Sequence, residues 1–346
     1  MSDRLAILTD GLLHESAAKT GHGVMRYGTR DVGCVVDAVH AGRRAVDVAP
    51  FCDHPAPVVA DVPAARELGA DVLLVGVAPM GGRLTPQWRA MLLEAIGLGM
   101  HIEAGLHTTL ADDPELAEAA RAQGVQLRDL RAAPADLDVP LGREVPIPAR
   151  VVHSVGSDCA IGKMTVTLEL DRAARRRDLA SVFIATGQTG VAITGWGMAV
   201  DHVVSDYVAG AADRLVREGA QRGDLLWLEG QGSLFHQAYS GVTLGLLHGS
   251  SADALVVCHR AGATTVGDNA RTPLPALAEI ARAYEQATAW VRPAPVAAIA
   301  LNTAVLDEEQ AREACRQAEA ETGVVADDVV RFGADRVLDA VLAAVR

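Results

Sequence analysis

Lys163 stands where a lysine can hold a phosphate. It closes the stretch Val151-Val152-His153-Ser154-Val155-Gly156-Ser157-Asp158-Cys159-Ala160-Ile161-Gly162-Lys163-Met164-Thr165, an apolar run that empties into a glycine-bearing loop and then a helical pattern. A strand, loop and helix in that order point backbone N–H groups at one spot, where the helix dipole adds partial positive charge and the lysine can touch an anion directly. Gly156 and Gly162 permit the tight path. The spacing departs from G-x4-G-K-[ST] twice: five residues separate the glycines, and Met164 stands between Lys163 and Thr165. Thr165 is then about 100° further round the helix than the usual magnesium-binding hydroxyl. The cradle is kept, and the metal is left undefined. The expected phosphate-binding set is Gly156, Ser157, Asp158, Cys159, Ala160, Ile161, Gly162, Lys163, Met164 and Thr165. Cys159 admits two readings. A thiol near a helix N-terminus has a lowered pKa and can act as a nucleophile, whereas a small side chain that merely fits a tight loop does no chemistry.

Glu229 ends the apolar run Leu225–Leu228 and precedes Gly230-Gln231-Gly232. A carboxylate at the end of a parallel strand can hold a magnesium ion or accept a proton from an amine. His236 and His259 are the other acid/base candidates, although a lone histidine is more often a structural hydrogen-bonder. In Thr186-Gly187-Gln188-Thr189-Gly190, Gly187 and Gln188 are read as a ligand-approach loop beside the phosphate loop. In the N-terminal half, the loop-like stretch Lys19–Tyr27 carries Lys19 and Arg26, and a glycine-rich turn ends at Arg83. Either arginine could grip a substrate carboxylate bidentately, and Lys19 is grouped with them.

Elements able to position these groups alternate along the chain. Apolar runs at Leu5–Leu8, Gly33–Val36, Val58–Ala60, Val72–Val77 and His101–Glu103 predict strands, and Pro86–Gly97 and Leu116–Gly124 have helical spacing. Pro134, Pro140, Pro146 and Pro148 then crowd a stretch filled with Asp and Gly, which predicts a linker over 134–149. Beyond it, strands are expected at Arg150–Val155, Ala180–Ala185, Leu225–Leu228, Ala254–Cys258 and Val296–Leu301, with a helix at Lys163–Arg176. The fold class is therefore α/β. A Rossmann-like domain over 1–133 is followed by a P-loop NTPase-like, mostly parallel α/β domain over 150–346. At 346 residues, half of them hydrophobic and only 3% aromatic, the chain suits helices layered on buried parallel sheets in two domains.

The net charge of −13 argues against nucleic acid or an anionic membrane surface as partner. Five widely spaced cysteines without a C-x-x-C pair read as free thiols in a reducing compartment. No basic start with a long apolar run opens the chain, so a cytoplasmic protein is expected, with a small-molecule substrate and a homo-oligomeric assembly.

The G-x5-G-K spacing and the Glu229-Gly230 turn resemble those of dethiobiotin synthetase and its relatives, which activate a carboxyl-containing substrate with ATP. GSDCAIGKMT, ATGQTG, LEGQGSLFHQAYSGVTLGLLHGS and KTGHGVMRY together resemble, over essentially the whole chain, the D-glutamate N-acetyltransferase-like (DgcN-like) family. The methionine after the P-loop lysine is part of that family's pattern. This resemblance implies acetyl-CoA as cosubstrate and N-acetylation of D-glutamate or a similar acidic amino acid. The alternative implied by the first resemblance is an ATP- and Mg2+-dependent ligase or kinase with Glu229 as metal ligand. A nucleotide-binding regulatory module without chemistry is the third class.

Overall fold

The computed structural model describes residues 3–78, 82, 84–142, 145–267 and 272–345. Its backbone clusters into two compact units, Met1–Ala133 with Gly187–Ala199, and Pro134–Thr186 with Val200–Arg346.

In the first unit, β1 (Leu5–Leu8), β2 (Val32–Val36), β3 (Val58–Val59), β4 (Val72–Val75), β5 (His101–Ala104) and β6 (Leu127–Asp129) form one sheet. All neighbours are parallel and the order is β3-β2-β1-β4-β5-β6, the doubly wound order of Rossmann-like folds. Every residue of β1, β2 and β4 is buried, which is why these strands read as continuous apolar runs rather than as alternation. The helix Pro86–Gly97 starts where Thr85 Oγ1 accepts from Trp88 N–H at 3.2 Å, and it buries Trp88, Leu92 and Ile96. Asp37, just beyond β2, is where dinucleotide-binding folds hold a ribose. Here its carboxylate already accepts from Thr9 Oγ1, Leu13 N–H and His40 N–H.

Two expectations fail in this unit. Lys19–Tyr27 is a helix, not a loop. Its glycines depress helix propensity, but they face close neighbours: a Cβ at Gly21 would stand 2.9 Å from Ile7, and one at Gly23 2.9 Å from Ile193. Close packing outweighs local preference. Gln188–Thr194 is likewise helical and packs on Lys19–Tyr27, with the Thr20 and Thr189 hydroxyls 2.8 Å apart.

The second unit holds β7 (Arg150–Gly156), β8 (Ser181–Ile184), β9 (Leu225–Leu228), β10 (Ala254–Arg260), β11 (Val296–Asn302) and β12 (Val325–Asp327). They form an all-parallel sheet ordered β12-β11-β10-β7-β9-β8. β9 therefore lies between β7 and β8, and β8 is one strand removed from the P-loop strand. The proline-rich stretch is tied to the helix Val208–Gly219: Leu141 N–H donates to Asp213, and Arg217 donates to the carbonyls of Gly142 and Val145.

The helix Ser240–Ser250 meets the helix Val208–Gly219 through Gly249, where a Cβ would stand 2.0 Å from the Ala209 carbonyl oxygen. Gly249→Ala should gain about 1 kcal/mol of helix propensity. Overpacking costs about 1–3 kcal/mol, and a backbone atom cannot be relieved by changing rotamer. We expect net destabilisation, read as a lower urea midpoint at unchanged m-value; a higher midpoint would show that the two helices do not meet through this glycine.

All five cysteines are unpaired, and four of them are buried. No helix among the described residues is long and apolar enough to cross a membrane.

Candidate functional site

β7 ends at Gly156, and the chain turns through Ala160 and Gly162, both in the left-handed region at φ +53° and +110°. The loop is pinned before it turns. Ser157 N–H donates to the Cys258 carbonyl at 3.0 Å, Ser233 Oγ donates to the Ser157 carbonyl at 2.9 Å, and the Tyr284 hydroxyl donates to the Gly156 carbonyl at 2.6 Å. The helix Lys163–Arg176 follows, and its first intrahelical bond runs from Val166 N–H to the Gly162 carbonyl. The first-turn amides of Lys163, Met164 and Thr165 have no backbone acceptor among the described residues. They are the donors that an anion at a helix N-terminus takes up.

Lys163 is 6% exposed and folds back into the loop, its Nζ donating to the Asp158 carbonyl at 2.6 Å. Burial pushes its ammonium below the usual lysine range, while Cys258, Cys159, Asp158 and Glu229 pull it back up. A buried cation surrounded by acceptors without full ionic pairing is costly. A phosphate brought into the loop would satisfy it.

Thr165 is only half buried, and the next hydroxyl, Thr167, is spent inside the protein, 2.7 Å from the Lys163 carbonyl and 2.8 Å from Ser154 Oγ. Cys159 fits the second of its two readings, a small side chain in a tight loop, better than the first. It precedes the first turn of the helix by four positions, and burial pushes its thiol up despite the nearby Lys163, so the lowered pKa of a reactive cysteine is not found. Asp158, Cys159 and His236 each offer one ligand atom within 4.8 Å of the others. Their donor set suits a cation of the zinc type. Two facts weaken the fit: Asp158 already accepts from Cys159 N–H and Gly267 N–H, and the Lys163 ammonium opposes a second positive charge.

Glu229 follows β9 directly, is 4% exposed, and accepts from Thr186 N–H at 2.9 Å; the Thr186 hydroxyl returns a bond to the Glu229 carbonyl at 2.8 Å. Gly230 N–H donates to Ser154 Oγ at 3.0 Å, which ties this turn to the P-loop strand. His259 Nδ1 is 2.9 Å from Ser157 Oγ, and burial holds its ring below the ordinary histidine range, opposed by Glu321. His236 accepts from Ala238 N–H through Nδ1 and lies against the Tyr239 ring. Thus Glu229, His236 and His259 all belong to the unit that carries the loop.

Gly187 and Gln188 group with the first unit, where Gln188 packs on Gly105. Lys19 is exposed at the start of its helix. Arg26 lies over the Phe51 ring and donates to the Phe51 carbonyl and the Tyr27 hydroxyl. Arg83 lies outside the described residues. Sequence reasoning missed Tyr284, Asn302 and Arg260. Asn302 Nδ2 donates to the Ile161 carbonyl at 3.2 Å, and the Arg260 guanidinium reaches the Ala160 carbonyl at 3.5 Å. Their only sequence signal was position, at the polar ends of β11 and β10.

A parallel sheet whose strand feeds a glycine-bounded loop, an internal lysine and a helix defines a P-loop domain, here in one chain with a Rossmann-like unit. The corresponding profiles match: a domain of unknown function described as the DUF1611 C-terminal P-loop domain over 139–338, and its N-terminal Rossmann-like domain over 38–133. The chain belongs to the DUF1611 family. It is 37% identical over 282 residues to a D-glutamate N-acetyltransferase of Tritonibacter scottomollicae, covering 81% of this chain and 83% of that one. A second protein of that name, from a Pseudoalteromonas species, is 35% identical over 276 residues, 79% and 82% of the two chains. The crystal structure of a DUF1611 family protein from Anabaena variabilis superposes with a TM-score of 0.92 at 42% identity over 99% of both chains.

Proposed function

We propose that this enzyme transfers the acetyl group of acetyl-CoA to the α-amine of D-glutamate or a closely similar acidic amino acid. The observation that carries the reading is the phosphate loop itself: a buried Lys163 and first-turn amides without a backbone acceptor among the described residues, with methionine directly after the lysine. Acetyl-CoA offers a pyrophosphate that such a loop can hold without cleaving it, so the displaced hydroxyl costs nothing. The two acetyltransferase relatives support the same chemistry.

In the reaction the amino acid arrives as an ammonium ion and must first lose a proton, for which Glu229 is our candidate acceptor. The free amine attacks the thioester carbonyl carbon, a C–N bond forms, the C–S bond breaks, and the CoA thiolate leaves with the proton that the nitrogen sheds as the amide forms. Five unpaired thiols fit a cytoplasmic setting, and we expect a homo-oligomer, which light scattering would measure.

The direct assay follows CoA thiol release with D-glutamate and L-glutamate as acceptors. Release with neither, accompanied by ADP formation from ATP and Mg2+, would favour the carboxylate-activating ligase instead. Chelation gives an independent check. With CoA rather than Mg-ATP in the loop, EDTA should leave turnover within about twofold, because no metal is asked to polarise a phosphoryl group. Complete loss restored by Mg2+ would reverse the assignment.

A further inference from the structure

Arg260 ends β10, the neighbour of the P-loop strand, and its guanidinium is exposed at the rim of the loop, 3.5 Å from the Ala160 carbonyl. The chain has 44 acidic against 31 basic side chains, and arginines such as Arg177, Arg217 and Arg292 are held by carboxylates. Arg260 has no carboxylate partner among the described residues. The interior of the loop already has its cation in Lys163. Among the described residues, a second cation at the rim therefore meets an anionic group only where the ligand carries negative charge in two separated places.

Acetyl-CoA has that form, a pyrophosphate linkage and a separate phosphate on the ribose 3′ oxygen. We propose that Arg260 binds the 3′-phosphate while the first-turn amides and Lys163 hold the pyrophosphate, which makes Arg260 the residue that selects CoA thioesters over forms lacking that phosphate. The inference rests on the acetyl-transfer reading. A guanidinium suits the task because its planar fork meets two phosphate oxygens at once. Asn302, bonded to the Ile161 carbonyl, steadies the same rim from β11.

The test compares kcat/KM for acetyl-CoA and acetyl-dephospho-CoA in the wild type, Arg260→Gln and Arg260→Lys. Charge-assisted contacts of this kind set the wild-type preference for acetyl-CoA on the order of 10- to 100-fold. In Arg260→Gln the acetyl-CoA value should fall by that factor while the acetyl-dephospho-CoA value stays within about twofold, and Arg260→Lys should retain part of the preference. A preference that survives in Arg260→Gln, or a wild type without one, overturns the assignment. A wild type that releases no CoA with any acceptor sinks the acetyl-transfer reading instead. The calorimetric affinities of CoA and dephospho-CoA then still decide on Arg260, loss of discrimination in Arg260→Gln upholding it and persistence overturning it.

Discussion

Lys163→Ala is expected to weaken acetyl-CoA binding on the order of 10- to 100-fold and to leave the fold intact. The sign of the stability change needs argument, because Lys163 is among the most buried charged groups in the chain. Removing it abolishes the cost of holding an ammonium away from water. It also leaves the Asp158 carbonyl without its donor, at a cost of about 1–3 kcal/mol. The two effects oppose each other, so the melting temperature should move little while the affinity collapses. The pH dependence has a definite direction. Phosphate binding needs the charged lysine, and burial sets its pKa below the free value of 10.5, so affinity should be full on the acid side of that lowered pKa and be lost as pH rises through it. The variant should lack this alkaline limb. Calorimetry that returns an unchanged dissociation constant would remove the loop from the proposed cofactor site.

Much of the loop was legible because its signals are local. The helix at Lys163–Arg176 needs only a glycine, a lysine and a periodic apolar face, and the structure has the same bounds. The helix Lys19–Tyr27 was not legible, since glycines at 21 and 23 argue against a helix and are overruled by Ile7 and Ile193, which lie far off in sequence. Strand order was hidden for the same reason: nothing in the chain says that β9 inserts between β7 and β8. The apolar run at 254–258 marks only part of its strand, because β10 runs on through His259 and Arg260 to the loop rim. Cys159 shows a different limit. Its position near a cation and a helix start is visible in the sequence, but the burial that pushes its thiol the other way is a property of the fold.

Glu229→Gln is the variant for which we expect the largest loss of turnover, about 10²–10⁴-fold, the range that a general base contributes. The replacement has the same shape, and its side-chain oxygen can keep the bond from Thr186 N–H that positions the carboxylate. What it cannot do is accept a proton. Because β9 flanks the P-loop strand and Gly230 is bonded to Ser154, the turn should stay in place. Cofactor affinity should fall only a few-fold, through the loss of one charge that favours the Lys163 ammonium. A loss concentrated in kcat separates a base from a group that merely shapes the loop, which would weaken binding in proportion. Two histidines compete for the role. Burial beside Ser157 Oγ disfavours the charged form of the His259 ring, and an uncharged imidazole can accept a proton. His236 stands with Asp158 and Cys159. If Glu229→Gln turns over at nearly the wild-type rate across the pH range while His259→Ala or His236→Ala is inactive yet still binds acetyl-CoA, the proton goes to that histidine and Glu229 is a positioning residue for Thr186.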